Sequence, residues 1–93
     1  MESVRNNEAA HRFEVGAGGQ LAVSEYHRRD GTIVFTHTEV PLALEGKGIG
    51  NELAKAALDY ARSEGLRVVP RCRFIAAYIK RHPQYQDLVE EKG

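Results

Sequence analysis

The chain has 93 residues, 42% hydrophobic and 28% charged, with 13 Lys and Arg against 13 Asp and Glu. That length is one domain with one core, and the balanced charge excludes a global pull toward nucleic acid or a membrane surface. The single cysteine, Cys72, excludes an internal disulfide and a multi-cysteine zinc site. No run approaches the ~20 apolar residues of a membrane span or the core of a signal peptide, so a cytoplasmic protein without a metal is expected.

Residues 1–9, MESVRNNEA, are polar without periodicity and are expected to be flexible, ahead of a single folded domain over 10–90. HRFEVGA (11–17) alternates, with Phe13 and Val15 on one side, and GAGGQ turns the chain. QLAVSEYHR (20–28) puts Leu21 and Val23 on one face and Ala22 and Tyr26 on the other. The Asp-Gly of RDGT (29–32) accepts the positive φ angles of a tight hairpin turn. TIVFTHTEV (32–40) is β-branched and aromatic, as strands are. A three-stranded antiparallel meander follows. On a period of two, His37 and Glu39 share a face with Ile33 and Phe35. Two ionisable groups at the end of an apolar row are either a candidate acid/base pair or a solvated strand end.

Pro41 has no N–H to donate and stops the ladder. The spacing of Ile49, Leu53, Ala56, Ala57 and Tyr60 predicts a helix over about 48–64, ended by Gly65. LRVVP (66–70) reads as a short strand buried on both faces, and RFIAAYIKRH (73–82) as a second helix closed by Pro83. The order is β-β-β-α-β-α, an α+β fold. Arg67, Arg71, Arg73, Lys80 and Arg81 fall in a stretch with no Asp or Glu. Such a bias is a solvated face or a place to meet an anion.

Gly46, Gly48 and Gly50 alternate at the mouth of the first helix, where each costs about 1 kcal/mol relative to alanine if helical. A helix start exposes unpaired N–H groups and the positive end of the macrodipole. An entry without β-carbons lets a phosphate come close to both, and Lys47 adds a cation. The spacing is neither a P-loop nor a dinucleotide fingerprint, and glycine at a helix entry also serves close packing.

HTEVPLALEGKGIGNELAKAALDYARSEGLRVVPRCRF, continued by YIKRHPQYQDL, resembles the GNAT superfamily of acetyl-CoA-dependent N-acetyltransferases, and most closely its small single-domain members. HTEVP, GKGIG, VVP-C and HP-YQDL, in that order, carry the resemblance over about residues 11–89. Glu45-Gly46-Lys47-Gly48-Ile49-Gly50 matches the superfamily's Gln/Arg-x-x-Gly-x-Gly/Ala, with Glu45 in the first place. Arg73 and Leu42 depart from the small family's pattern.

The resemblance implies a minimal GNAT-like fold: the meander, a helix, a further strand splayed from the third strand, and a C-terminal helix. It implies that coenzyme A rests its pyrophosphate on Glu45, Gly46, Lys47, Gly48, Ile49, Gly50 and Asn51. Its pantetheine arm would lie along Thr38, Glu39 and Val40, with a backbone N–H near Val40 stabilising the oxyanion. Phe74 and Tyr78 would flank the arm, and Lys80 or Arg81 would meet the nucleotide's phosphates. Cys72 would face the arm across the gap. There it is either a nucleophile that takes the acetyl group, with Arg71 and Arg73 favouring its thiolate, or a lining residue while the amine attacks directly. In the second case His37 or Glu39 is the candidate base. The implied function is transfer of an acetyl group from acetyl-CoA to an amine, a small molecule or a protein lysine. The alternatives are a non-catalytic acyl-CoA-binding module and, more weakly, a nucleic-acid or protein interaction domain using 67–81. The expected partners are a CoA thioester and an amine acceptor, with no nucleic acid and no membrane.

Overall fold

The computed structural model describes residues 3–90. Five strands lie in chain order across one sheet: β1 (Arg5–Asn7), β2 (Arg12–Ala17), β3 (Gln20–Arg29), β4 (Thr32–Glu39) and β5 (Arg67–Pro70). Two helices, α1 (Ile49–Ser63) and α2 (Arg73–Arg81), and 3-10 turns at Glu8–Ala10, Leu42–Leu44 and Pro83–Leu88 complete it. β1 to β4 pair antiparallel, and β5 pairs parallel to β4 after the α1 crossover that parallel neighbours require. Asp30 and Gly31 take φ of 48° and 78° in the expected hairpin. The α+β class is as expected, with β1 added ahead of the expected three-stranded meander.

One core joins the layers. Phe13, Val15, Ala22, Tyr26, Ile33 and Phe35 on one sheet face meet Leu53, Leu58, Ile75 and Ile79 of the two helices. Ala54, Ala57 and Ala61 on α1 are fully buried, and their small side chains let the helix axis approach the sheet closely.

The expected flexibility of residues 1–9 is corrected over Arg5–Asn7, which pair with Glu14, Phe13 and Arg12 of β2. Met1 and Glu2 lie outside the described residues. The cause is Glu14, a carboxylate only 2% exposed on the outer face. It accepts from Asn7 Nδ2 at 3.0 Å and Arg12 Nε at 2.6 Å and pairs with Arg5 at 2.8 Å. A buried carboxylate is tolerated only with such donors, and β1 supplies two of the three. The hydrogen bonds from Asn7 and Arg12 hold its carboxyl below the usual range, against the opposing effect of burial.

A second correction concerns β5. It is the last strand of the sheet, and only Val68 is buried, with Arg67 exposed and Val69 and Pro70 half-buried. Its outer edge is strapped by the segment that follows α2. Val68 bridges Val89, Glu90 N donates to Val68 O at 2.9 Å, and the Arg67 guanidinium donates to the carbonyls of Asp87 (3.1 Å) and Val89 (2.7 Å). Arg62 holds the Asp87 carboxylate through two bonds of 2.8 and 3.1 Å.

The third correction is a change of phase in β4. Phe35 lies opposite Tyr26, but His37 lies opposite Glu25, so Thr36 is an extra residue on this strand. Its hydroxyl donates to Glu25 O at 3.3 Å. One extra residue reverses the side-chain alternation beyond it. The core face therefore carries Ile33 and Phe35 before the bulge and Thr38 after it, opposite the fully buried Ser24. His37 and Glu39 turn to the other face and do not continue the Ile33 and Phe35 row.

Candidate functional site

β4 and β5 pair only through Thr32–Phe35 and Arg67–Pro70. Cys72 N donates to Phe35 O at 2.9 Å and the chain turns into α2, while β4 runs on to Glu39 without β5 beside it. This parting is the expected splay. Past Pro41, the turn Leu42–Leu44 buries Leu44 and delivers the chain to the glycine entry of α1.

The three glycines divide two tasks. Gly46 and Gly48 take φ of 83° and 76°, a left-handed conformation that only glycine adopts without strain. A β-carbon on either would meet nothing within 4 Å, so the space above them is open. Gly48 is the N-cap of α1 and provides no side-chain cap, which leaves first-turn N–H groups free for another acceptor. Gly50 instead makes room for contact. A β-carbon there would stand 2.7 Å from Phe74 Cζ.

These parts enclose a cleft of about 630 Å3 lined by Thr38, Glu39, Val40, Leu44, Glu45, Gly46, Gly48, Ile49, Gly50, Asn51 and Phe74. All of these but Leu44 are positions singled out in the sequence. Leu44 signals itself only as an apolar residue just before the loop. Lys47, Lys80 and Arg81 are exposed and outside the lining. Tyr78 is also outside it. Its ring is buried and stacks on His82 at 3.9 Å between centroids, and burial raises its hydroxyl above the usual phenol range. It is a core residue here.

Cys72 sits at the N-cap of α2, 6% exposed. It faces the strand end as expected, its Sγ donating to Thr38 Oγ1 at 3.2 Å, but it is not itself in the lining. Thr38 Oγ1 is also 3.1 Å from Ser24 Oγ. Ser24 was not singled out, although it shares the strand period of Ala22 and Tyr26. Arg71 and Arg73 are exposed. His37 Nε2 is 3.2 Å from Glu39 Oε1, with side chains 56% and 70% exposed. That is a solvated pair, although Glu39 borders the cleft. Among the described residues, no helix is long and apolar enough to cross a membrane, and no group of three or more His, Cys, Asp or Glu is placed to hold a metal ion.

The family model described as GCN5-related N-acetyl-transferase matches residues 12–88. Protein NATD1 of Xenopus tropicalis is 44% identical over 57 residues, 61% of this chain and 52% of its own length. Protein NATD1 of Homo sapiens is 48% identical over 52 residues, 56% of this chain and 46% of its own. The chain thus spans about half the length of the curated relatives it matches. Among solved structures, a GCN5-like protein of Staphylococcus aureus, determined in solution by NMR, superimposes with a TM-score of 0.74 at 28% identity. That match covers 98% of this chain and 90% of the other.

Proposed function

The chain belongs to the GCN5-related N-acetyl-transferase family, and on that premise we propose that it transfers an acetyl group from acetyl-CoA to an amine, either a small molecule or a protein lysine. The observation that carries this reading is the union, in one cleft, of the strand end Thr38–Val40, the glycine entry to α1 and Phe74. The residues present fit an acyl-CoA. The open space above Gly46 and Gly48 brings a pyrophosphate to the uncapped first turn of α1, and Lys47 is free to swing toward it. Leu44, Ile49 and Phe74 offer an apolar wall, and the unpaired side of β4 offers backbone groups to the amides of the arm.

When bound, acetyl-CoA supplies a thioester whose carbonyl carbon is open to attack by the amine nitrogen and whose sulfur leaves. Glu39, at the border of the cleft beside Thr38 and Val40, is the carboxylate assigned to take the amine's proton. In this reading the backbone at Val40 and the hydroxyl of Thr38, both lining the cleft, face the thioester. Cys72 is buried, absent from the lining and engaged through its S–H with Thr38. Direct attack by the amine suits this arrangement better than an acetyl-cysteine.

Calorimetry with CoA tests the assignment, with an expected Kd near 1 μM, or about −8 kcal/mol. Gly48→Val puts a branched side chain at a φ of 76° and a β-carbon into the open space, and at least tenfold weaker binding is expected. Unchanged affinity in a folded variant removes the assignment. Thiol release from acetyl-CoA across a panel of amines tests turnover. Tight binding with no release from any amine identifies a non-catalytic acyl-CoA-binding module instead.

A further inference from the structure

Three small polar side chains meet where β4 leaves β5. Thr38 Oγ1 lies 3.1 Å from Ser24 Oγ and 3.2 Å from Cys72 Sγ. Ser24 is fully buried and Cys72 is 6% exposed, whereas Thr38 is half-buried and lines the cleft. The hydrogens are located by counting. A hydroxyl carries one hydrogen and two lone pairs, and a thiol carries one hydrogen and accepts weakly. Among the described residues neither Ser24 Oγ nor Cys72 Sγ has another hydrogen-bond partner. Each of these buried hydrogens is therefore satisfied only by pointing at Thr38 Oγ1. Were Thr38 to donate to Ser24 instead, the Ser24 hydrogen would be stranded in the core, at the full cost of desolvating it. Two incoming donors fill both lone pairs of Thr38. Its own hydrogen has neither neighbour to go to, and the remaining direction is the cleft.

We propose that Thr38 donates this hydrogen to the acyl carbonyl oxygen of the bound thioester, with Cys72 and Ser24 as the positioning residues that aim it; the inference rests on the acetyl-CoA reading above. A donor fixed before charge develops is the arrangement that stabilises a carbonyl oxygen as it becomes negative. Each donor into Thr38 also polarises its O–H further. The bulge at Thr36 is what brings a hydroxyl to this place. In an unbulged strand His37 would occupy the core face.

Infrared difference spectroscopy with acetyl-CoA carrying a 13C-labelled carbonyl, together with calorimetry and steady-state kinetics, tests this on the full chain. In the wild-type protein the bound thioester band shifts to lower frequency, and acetyl-CoA binds more tightly than CoA. Thr38→Val keeps the shape and removes the hydrogen. It is expected to abolish the band shift and lower kcat by about a hundredfold, with KM for acetyl-CoA within about threefold. Thr38→Ser restores the shift and most of kcat. Cys72→Ala and Ser24→Ala each lower kcat by about five- to tenfold, and Cys72→Ser, which keeps a donor, falls by less than either. A band shift and kcat undiminished in Thr38→Val overturn the proposal. So does a Cys72→Ser protein as inactive as Cys72→Ala, with an acetyl adduct on wild-type Cys72. A wild-type protein that binds neither CoA nor acetyl-CoA refutes the parent reading, and this one with it, before any substitution is made. Where acetyl-CoA binds but no amine is turned over, the band shift decides.

Discussion

Replacing Gly50 by alanine sets two opposed effects against each other at a known distance. The new β-carbon stands 2.7 Å from Phe74 Cζ and 3.2 and 3.3 Å from Cε1 and Cε2, where carbon atoms rest at about 3.5–4.0 Å. The ring must retreat by about 1 Å. Overpacking of this kind costs about 1–3 kcal/mol, and Phe74, only half-buried, has room to move toward the cleft, which keeps the cost near the lower end. Alanine gains at most about 1 kcal/mol of helix propensity, and less here because Gly50 is the second residue of α1. The expected net effect is a destabilisation of about 0.5–1.5 kcal/mol, read as a fall in Tm of about 4–8 °C per kcal/mol for a chain of this size. Phe74→Leu removes the obstructing ring atoms, and in that background Gly50→Ala should be neutral or stabilising. Urea and thermal unfolding of the four proteins gives the coupling energy, expected at about 1–2 kcal/mol. A coupling below about 0.3 kcal/mol refutes the argument, because Gly50 would then owe its identity to something other than the Phe74 ring.

Two titrations follow from the charge network and the core. Glu14 is held below its ordinary value of 4.5, so its contribution to stability is present above that value and lost as pH falls through the lower, folded one. Glu14→Gln should therefore flatten the acid limb of Tm against pH, and parallel limbs in the two proteins would place the acid sensitivity elsewhere. Tyr85 donates to Asp59 Oδ1 at 2.7 Å, and burial, followed by that hydrogen bond, pushes its hydroxyl from 10.0 to about 12. The folded state keeps the neutral phenol, so stability is intact below pH 10 and lost as pH rises toward about 12. Tyr85→Phe should cost about 1 kcal/mol at pH 7 and remove this alkaline loss. An equal loss of unfolding free energy between pH 9 and 11 in the wild-type and Tyr85→Phe proteins, measured by urea unfolding, would contradict the assignment.

The meander and both helices were legible because period-two and period-3.6 apolar patterns survive in the sequence, punctuated by Asp30-Gly31, Pro41 and Gly65. The bulge was not. Nothing in TIVFTHTEV distinguishes Thr36 from the other threonines, since the extra residue is defined only by how β4 pairs with β3. Missing it sent His37 and Glu39 to the wrong face and hid the meeting of Thr38 with Ser24. β1 was illegible for a different reason: two of its three polar residues, Arg5 and Asn7, are held by a buried carboxylate seven or more positions away in sequence, and the third, Asn6, accepts from Tyr26. Phe74 and Tyr78 lie four residues apart on α2, and the resemblance set both beside the arm. Neither resemblance nor spacing gave a means of seeing that Phe74 meets the cleft while Tyr78, one turn on, meets His82 and Tyr85. The glycine positions were evident, but the division between backbone angle at Gly46 and Gly48 and ring contact at Gly50 needed coordinates.

The strap over β5 bears on how this protein behaves among copies of itself. A strand at the margin of a sheet offers a row of unpaired donors and acceptors on which a second chain can build, and a Val-Val pair makes such a margin adhesive. Here the row is occupied from within, by Val89 and Glu90 against Val68. Tyr85 and Leu88 anchor the strap in the core, but its carbonyls and carboxylate are gripped by Arg62 and Arg67 at the surface. The Arg62–Asp87 part of that grip is ionic and lies in solvent, so salt screens it. How firmly this margin of the sheet is covered therefore depends in part on the electrolyte, through Arg62 and Asp87, while the bonds from Arg67 to neutral carbonyls are spared.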